Sequence, residues 1–218
     1  MKVYQKSLWK ETYTSFDEFQ KIIKNIYSDT QLEVLVLGCS DGKYVFPFLK
    51  EGYRVTAVDN DSIALYGGEV EFQGQNIKVE GLINNLKYEG YDNSQCKIVH
   101  QNYMDLKNDN LYHVVLTSCS WHYKKNFCYS FGEIIDKMQS FVEKDGLFLA
   151  DYFMPIKEKH FLYEHYLKPG KILDFFKASE WKIILDLDVG IIEEAPHVFK
   201  DEWHQHHYGA FVAKKKEK

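Results

Sequence analysis

No apolar run in this 218-residue chain approaches the roughly 18 to 20 residues that a membrane-crossing helix needs. Met1 to Lys10 lacks the apolar core of a secretory leader, so neither insertion nor export is expected. Four cysteines, Cys39, Cys96, Cys119 and Cys128, form no CxxC pair. They read as free thiols in a reducing cytoplasm. There is no concentrated basic surface: the net charge is −5, and lysines cluster only at Lys214, Lys215, Lys216 and Lys218. Nucleic acid is therefore not the expected partner. Internal repeats and low-complexity linkers are also missing.

What remains is 45% hydrophobic and 27% charged, with 16 Tyr and 15 Phe. That composition builds a core, and the length suits one α/β domain with additions. A helix is predicted from near Ser15, where Ser15 and Glu18 form a capping-box pattern. Phe16, Phe19, Ile22, Ile23 and Ile26 then recur at helical spacing, and Ser28, Asp29 and Thr30 break it. Glu33 to Leu37 reads as a strand buried on both faces, ending at Gly38. A helix from Gly42 to Lys50 follows, closed by Gly52, and then a strand from Arg54 to Val58 that ends in Asp59-Asn60-Asp61. Strand, glycine turn, helix, strand and acid make up the first half of a nucleotide-binding fold.

Glu69 to Val79 alternates around Gly74, which predicts an inserted hairpin at about 66–80, with a helix from Val79 to Tyr88 after it. Further strands are expected at Lys97 to His100, His113 to Thr117 and Leu147 to Tyr152, the last after a turn at Asp145-Gly146. A helix from Ser130 to Val142 opens on a second capping-box pattern, Ser130 with Glu133. Pro155 to Pro169 reads as a partly helical connection, Lys171 to Ala178 as a short helix, and Trp181 to Asp188 and Tyr208 to Ala213 as closing strands. The expected architecture is α/β: a Rossmann-like, seven-stranded, mostly parallel sheet with helices on both faces and an antiparallel edge strand.

The turn after the first strand is not a dinucleotide fingerprint. Counted from Gly38, the second glycine position of GxGxxG holds Ser40 and the third holds Lys43. No GxxxxGK[ST] phosphate loop exists either. Asp59 lies 21 residues after Gly38 and can accept both hydroxyls of a ribose. The other reading of Asp59 is a loop acid or a helix N-cap, and Asp61 could serve that role. A ribose-bearing ligand without a pyrophosphate cradle is the reading.

At these residues the chain resembles a family. Val34 to Tyr44, Val55 to Asp61, Val99 to Leu106 and Tyr112 to Tyr123 resemble successive motifs of class I S-adenosylmethionine-dependent methyltransferases, over roughly residues 30 to 215. The flavour is that of the tellurite-resistance and thiopurine small-molecule enzymes, whose ending the stretch from Ile172 to Lys215 is similar to. The resemblance implies S-adenosyl-L-methionine as cofactor. It implies that Gly38, Ser40 and Gly42 lie beside its amino-acid part, that Cys39 and Tyr44 also contact the cofactor, that Asp59 holds the ribose and that Asn60 packs on the adenine. Asn102 and Tyr103 would hold the adenine, and Ser118, Cys119 and Ser120 would face the sulfonium. Residues 1–30 would form a helical lid segment on a domain of residues 31–218. Three positions depart from the pattern: Ser40 replaces the middle glycine, Val36 stands where an acid is frequent, and Asn102 replaces an acid.

Methyl transfer from a sulfonium is an in-line displacement that mainly needs positioning. A base is required only when the nucleophile carries a proton. His204, His206 and His122 are the candidate catalytic groups, and Trp9, Tyr13, Trp121, Tyr123, Trp203 and Tyr208 are candidate substrate contacts. His197, His204, His206 and His207 could gather as imidazole ligands, but without paired carboxylate or thiolate spacing no metal is expected. Cys119 has no neighbour to activate it as a nucleophile. The expected function is methyl transfer to a small-molecule O, N, S or metalloid nucleophile, in the cytoplasm. A nicotinamide-dependent oxidoreductase and a non-catalytic interaction module are the alternatives.

Overall fold

The computed structural model describes residues 3–28 and 31–217. The sequence reading at Asp29 and Thr30, and part of that at Met1 to Lys10 and Lys218, lies outside them. The chain divides into two compact units, residues 1–106 with 193–205, and residues 107–192 with 206–218.

The first unit opens with α1, Phe16–Ile26, whose Phe16, Phe19 and Ile23 are buried as the spacing predicts. Ser15 is its N-cap but makes no side-chain capping bond, so the expected capping box is not formed there. Its hydroxyl instead meets the Tyr13 hydroxyl at 3.2 Å. β1 is Glu33–Leu37, with every residue after Glu33 buried. A continuous Val/Leu run forms such a strand because both of its faces are covered. β2, Arg54–Asp59, pairs with it in parallel, Leu35 opposite Thr56, and β5, Cys96–His100, pairs in parallel with β2.

The helix after the glycine turn, α2, is Val45–Lys50, three residues shorter at its start than expected. Residues 42–45 are occupied by a tight turn in which the Val45 N–H donates to the Gly42 carbonyl at 3.1 Å. α3, Ser62–Tyr66, is capped by Asp61, whose side chain accepts from the N–H groups of Ile63 and Ala64.

The expected hairpin is present. β3, Gly68–Phe72, pairs antiparallel with β4, Gln75–Val79. Gln73 and Gly74 both have positive φ, at 52° and 72°, the geometry of a two-residue hairpin turn whose twist matches its strands. At the base, Gly67 and Gly81 cross without room for a side chain: a Cβ on Gly81 would lie 2.2 Å from the Gly67 nitrogen. α4, Gly81–Glu89, follows.

In the second unit, β6, Tyr112–Ser118, pairs in parallel with β7, Val142–Met154. The expected turn at Asp145-Gly146 is absorbed within β7 as an irregularity. Tyr112 faces Val142 while Val114 faces Leu147, and Asp145 takes a φ of 60°. α5, Phe131–Ser140, carries the predicted capping box: the Ser130 hydroxyl accepts from the Glu133 N–H, and the Glu133 carboxylate accepts from Ser130. The connections at 158–162 and 171–175 are 3-10 turns. β8, Trp181–Glu194, and β9, His204–Lys215, are longer than the sequence suggests. β8 runs past its expected end at Asp188, whose side chain accepts from the Gly190 N–H at 2.9 Å.

The strands form a seven-stranded sheet in the order β5-β2-β1-β6-β7-β9-β8, with β7 and β9 antiparallel, beside the separate β3-β4 pair.

Candidate active site

The end of β1 and the end of β2 are tied together. The N–H groups of Gly38 and Cys39 both donate to the Val58 carbonyl, at 2.9 and 3.0 Å. Ser40, in a left-handed conformation at φ 48°, donates its N–H to the Asp59 carboxylate at 2.8 Å. The other oxygen of Asp59 accepts from the Asp61 N–H at 2.9 Å. The carboxylate is thus fixed by two backbone donors. A carboxylate offers about four acceptor sites, so each oxygen keeps capacity for a ligand hydroxyl.

Of the expected cofactor residues, Gly38, Ser40 and Asp59 meet in this turn. Gly42 serves packing: at φ +102°, a Cβ there would lie 2.6 Å from the Phe46 ring and 2.8 Å from Leu82. Tyr44 is corrected from cofactor contact to core, since it is 6% exposed with its ring 5.2 Å from that of Phe16. It caps α2, and the turn at 42–45 points it inward. Cys39 is buried, and burial pushes its thiol well up, so it is no nucleophile. Asn60 is exposed. Asn102 caps the 3-10 turn Tyr103–Asp105 by accepting from the Met104 N–H at 3.0 Å, and Tyr103 is buried.

Sequence reasoning passed over Asp41 and Lys43, which alternate with the glycine positions. Asp41 is 2% exposed and accepts from the Ser7 hydroxyl and the Leu8 N–H, both at 2.6 Å. Burial raises its carboxyl above the usual range against the pull of these two donors. The Lys43 ammonium donates to the Thr12 hydroxyl and carbonyl and to the Tyr13 carbonyl. The Trp9 indole N–H donates to the Ser40 hydroxyl at 2.9 Å. The turn therefore grips residues 4–13. Asp41→Ala should cost about 2 kcal/mol, because two donors are left in a buried site. Limited proteolysis checks this: the variant should be cut within residues 4–13 sooner than wild type, and equal resistance would refute the anchoring role.

Further along unit one, Glu194, His197 and His204 converge, their ligand atoms within 4.8 Å of one another. The His197 and His204 Nε2 atoms are 3.1 Å apart. His204, expected as a base, is thereby committed to a cluster. Trp9 packs on the His197 ring at 5.2 Å and on Phe199 at 5.7 Å. Tyr13 contributes its N–H to Glu194. Trp203 is 65% exposed.

In the second unit, Ser118 ends β6 and Cys119 follows it at φ 49°, with its N–H on the Asp151 carbonyl. The hydroxyls of Ser120 and Thr117 are 2.6 Å apart. Trp121 is corrected from substrate contact to core: it is 0% exposed and wedged between Phe131 and Tyr152. Tyr208 is also buried. His122 lies against Tyr123 and Phe153, both at 4.4 Å, and Phe153 stacks flat on His206 at 4.1 Å. His207 instead pairs with Asp188 at 2.6 Å.

His122 is corrected as a base. Burial, helped by the nearby His206 and opposed by a bond with the Cys119 backbone, holds its pKa down at about 3. Such an imidazole is a weak proton acceptor near neutrality. Below pH about 6.5 the unfolded chain takes up a proton that folded His122 refuses. Stability therefore falls as the pH drops from about 6.5 towards 3, and the share of His122 at pH 5 is about 2 kcal/mol. In urea unfolding, His122→Phe should shrink the loss between pH 7 and 5 by about that amount; an unchanged loss would refute the assignment.

A surface cavity of about 500 Å³ is lined by Tyr66, Leu86, Tyr91 and Lys97 among others. It touches none of these groups. Among the described residues, no helix is long and apolar enough to cross a membrane.

No family model matches the chain, and no curated protein does. Solved structures do. TehB from Haemophilus influenzae aligns at TM-score 0.66 and 14% identity over 94% of this chain, which spans only 63% of that protein. PH1948 from Pyrococcus horikoshii, a candidate RNA methyltransferase, aligns at 0.61 and 14% identity, covering 97% of this chain and 90% of that one. A 1,6-didemethyltoxoflavin-N1-methyltransferase from Burkholderia thailandensis, solved with bound 1,6-didemethyltoxoflavin and S-adenosylhomocysteine, aligns at 0.56 and 16% identity, covering 90% of this chain and 76% of that one. At these identities the likeness defines the architecture, and the chain shares the Rossmann-like α/β fold of these three structures.

Proposed function

We propose that this protein is an S-adenosylmethionine-dependent methyltransferase acting on a small-molecule O, N, S or metalloid nucleophile. The observation that carries the reading is the Asp59 carboxylate, held by the Ser40 and Asp61 N–H groups at the joined ends of β1 and β2. The donor set fits the cofactor: a fixed carboxylate with spare acceptor capacity suits a ribose diol, and nothing there suits a pyrophosphate. When bound, S-adenosylmethionine supplies an activated methyl group.

The work of the chain is then positional. Asp59 orients the ribose, Asn60 and Asn102 flank the adenine, and the Gly38 to Ser40 turn brings backbone close to the amino-acid part. Residues 4–13, fastened to that turn by Asp41, Lys43 and Trp9, act as a lid that excludes water. His206, Phe153 and Tyr123 supply flat faces for an acceptor, and His206 is the proton acceptor for a protonated nucleophile.

The net charge of −5 favours a small acceptor over RNA. The likeness to PH1948 favours the second reading, an RNA acceptor. Transfer of labelled methyl from S-adenosylmethionine to thiols, phenols, amines and tellurite, with structured RNA in parallel, separates the two. Label in RNA alone would overturn the small-molecule reading. A chain that binds the cofactor and methylates neither class would be an interaction module.

A further inference from the structure

The Glu194, His197 and His204 side chains bring their donor atoms together in one place. His197 directs Nδ1 at the Val198 carbonyl, 2.6 Å away, and His204 directs Nδ1 at the Glu202 carbonyl, 2.9 Å away. A carbonyl only accepts, so each Nδ1 carries the proton. In the neutral ring, Nε2 then presents its lone pair. Those two Nε2 atoms face each other at 3.1 Å. The Glu194 Oε2 lies 3.7 Å from His204 Nε2 and 3.9 Å from His197 Nε2. Three electron-pair donors thus point into one small volume.

Burial sharpens the problem. The side chains of Glu194, His204 and His197 are 4%, 5% and 14% exposed. Little bulk water reaches donors so deeply placed. The other Glu194 oxygen accepts the Tyr13 N–H at 2.8 Å, which orients the carboxylate as an outer partner orients a metal ligand. The two backbone carbonyls do the same for the imidazoles.

We propose that Glu194, His197 and His204 form a binding site for a divalent transition-metal ion of the zinc class. Two nitrogens each about 2.0 to 2.1 Å from a tetrahedral zinc stand roughly 3.3 Å apart. The histidine pair already has that separation, and the carboxylate has only a few tenths of an ångström to travel. Two imidazoles and one carboxylate are a ligand set that such ions accept, with water or a substrate atom completing the shell. The ligands lie on different pieces of chain: Glu194 ends β8, His204 begins β9, and His197 lies in the connection between them. The ion would therefore cross-link the 194–204 loop, with Trp9 covering His197 and reaching the Ser40 hydroxyl.

The site does not depend on the methyl-transfer reading, because metal uptake is measured without cofactor or acceptor. The full chain, stripped with chelator, is titrated with Co²⁺ and followed by visible d–d absorption, with Zn²⁺ as competitor. One equivalent of Co²⁺ is expected, displaced by one equivalent of Zn²⁺. Glu194→Gln and His204→Ala should each weaken uptake by more than about 100-fold, beyond the usual cost of losing an outer partner. Should either variant fold poorly, imidazole ¹⁵N spectra of the wild-type chain decide. Added Zn²⁺ should shift both Nε2 signals of the pair and leave both Nδ1 protonated. Sub-stoichiometric uptake, wild-type affinity in both variants, or an Nε2 that is protonated and indifferent to Zn²⁺ would overturn the site. The last outcome would identify a shared proton in its place.

Discussion

Asp59→Ala is expected to weaken S-adenosylhomocysteine binding about 100-fold in calorimetry. A hydrogen bond to a charged group contributes about 1.5 to 3 kcal/mol, and about 2.7 kcal/mol is a factor of 100 in affinity. Two effects combine. The variant loses the acceptor for the ribose diol, and it releases the Ser40 and Asp61 N–H groups that the carboxylate holds at 2.8 and 2.9 Å. Asp59→Asn separates them. Its amide oxygen can replace one carboxylate oxygen, but its NH₂ group confronts the second N–H donor-to-donor. It should therefore fall between wild type and alanine. Wild-type affinity in Asp59→Ala would remove the ribose role, and with it the main support for the methyltransferase reading.

Gly42→Ala should lose about 3 kcal/mol of stability, or roughly 6 to 12 °C in Tm for a chain of this size. A left-handed φ of +102° costs a residue with a Cβ about 1 to 2 kcal/mol. The new methyl also meets Phe46 at 2.6 Å and Leu82 at 2.8 Å, and overpacking a full core costs about 1 to 3 kcal/mol. Differential scanning calorimetry measures the shift, and S-adenosylhomocysteine affinity is measured on the folded fraction. Loss of affinity at unchanged Tm would return Gly42 to the ligand and contradict the packing role.

The two variants mark what the sequence could and could not express. The Val34 to Leu37 run, the turn at Gly38 and the acid that ends the second strand are each short local patterns, and the structure joins them. The hairpin around Gly74 and the Ser130–Glu133 capping box are likewise local patterns, and both formed. Ser15 with Glu18 has the same pattern, but Tyr13 and Ser15 share their hydroxyls in its place. Trp121 and Tyr44 look like pocket residues only while their neighbours Phe131, Tyr152 and Phe16 are unknown. Asp41 and Lys43 passed as loop filling because their partners precede them by about 30 residues. Glu194 was invisible for a similar reason. It stands three residues before His197 and ten before His204, spacings that mean little until the chain folds back, and its backbone partner Tyr13 is 181 positions away. A carboxylate counted together with those histidines was the signal available.

The crossing of Gly67 and Gly81 has an evolutionary consequence. Where two backbones pass with no clearance, a lineage can rewrite everything between them but not the crossing itself. The β3-β4 hairpin is thus an appendage on a fixed collar. Its tip at Gln73-Gly74 is open to lengthening, shortening or the grafting of a foreign loop, whereas trimming back to the collar would pull α4 out of place. Among descendants of this chain, glycine should persist at positions 67 and 81 after the residues between them have diverged beyond alignment.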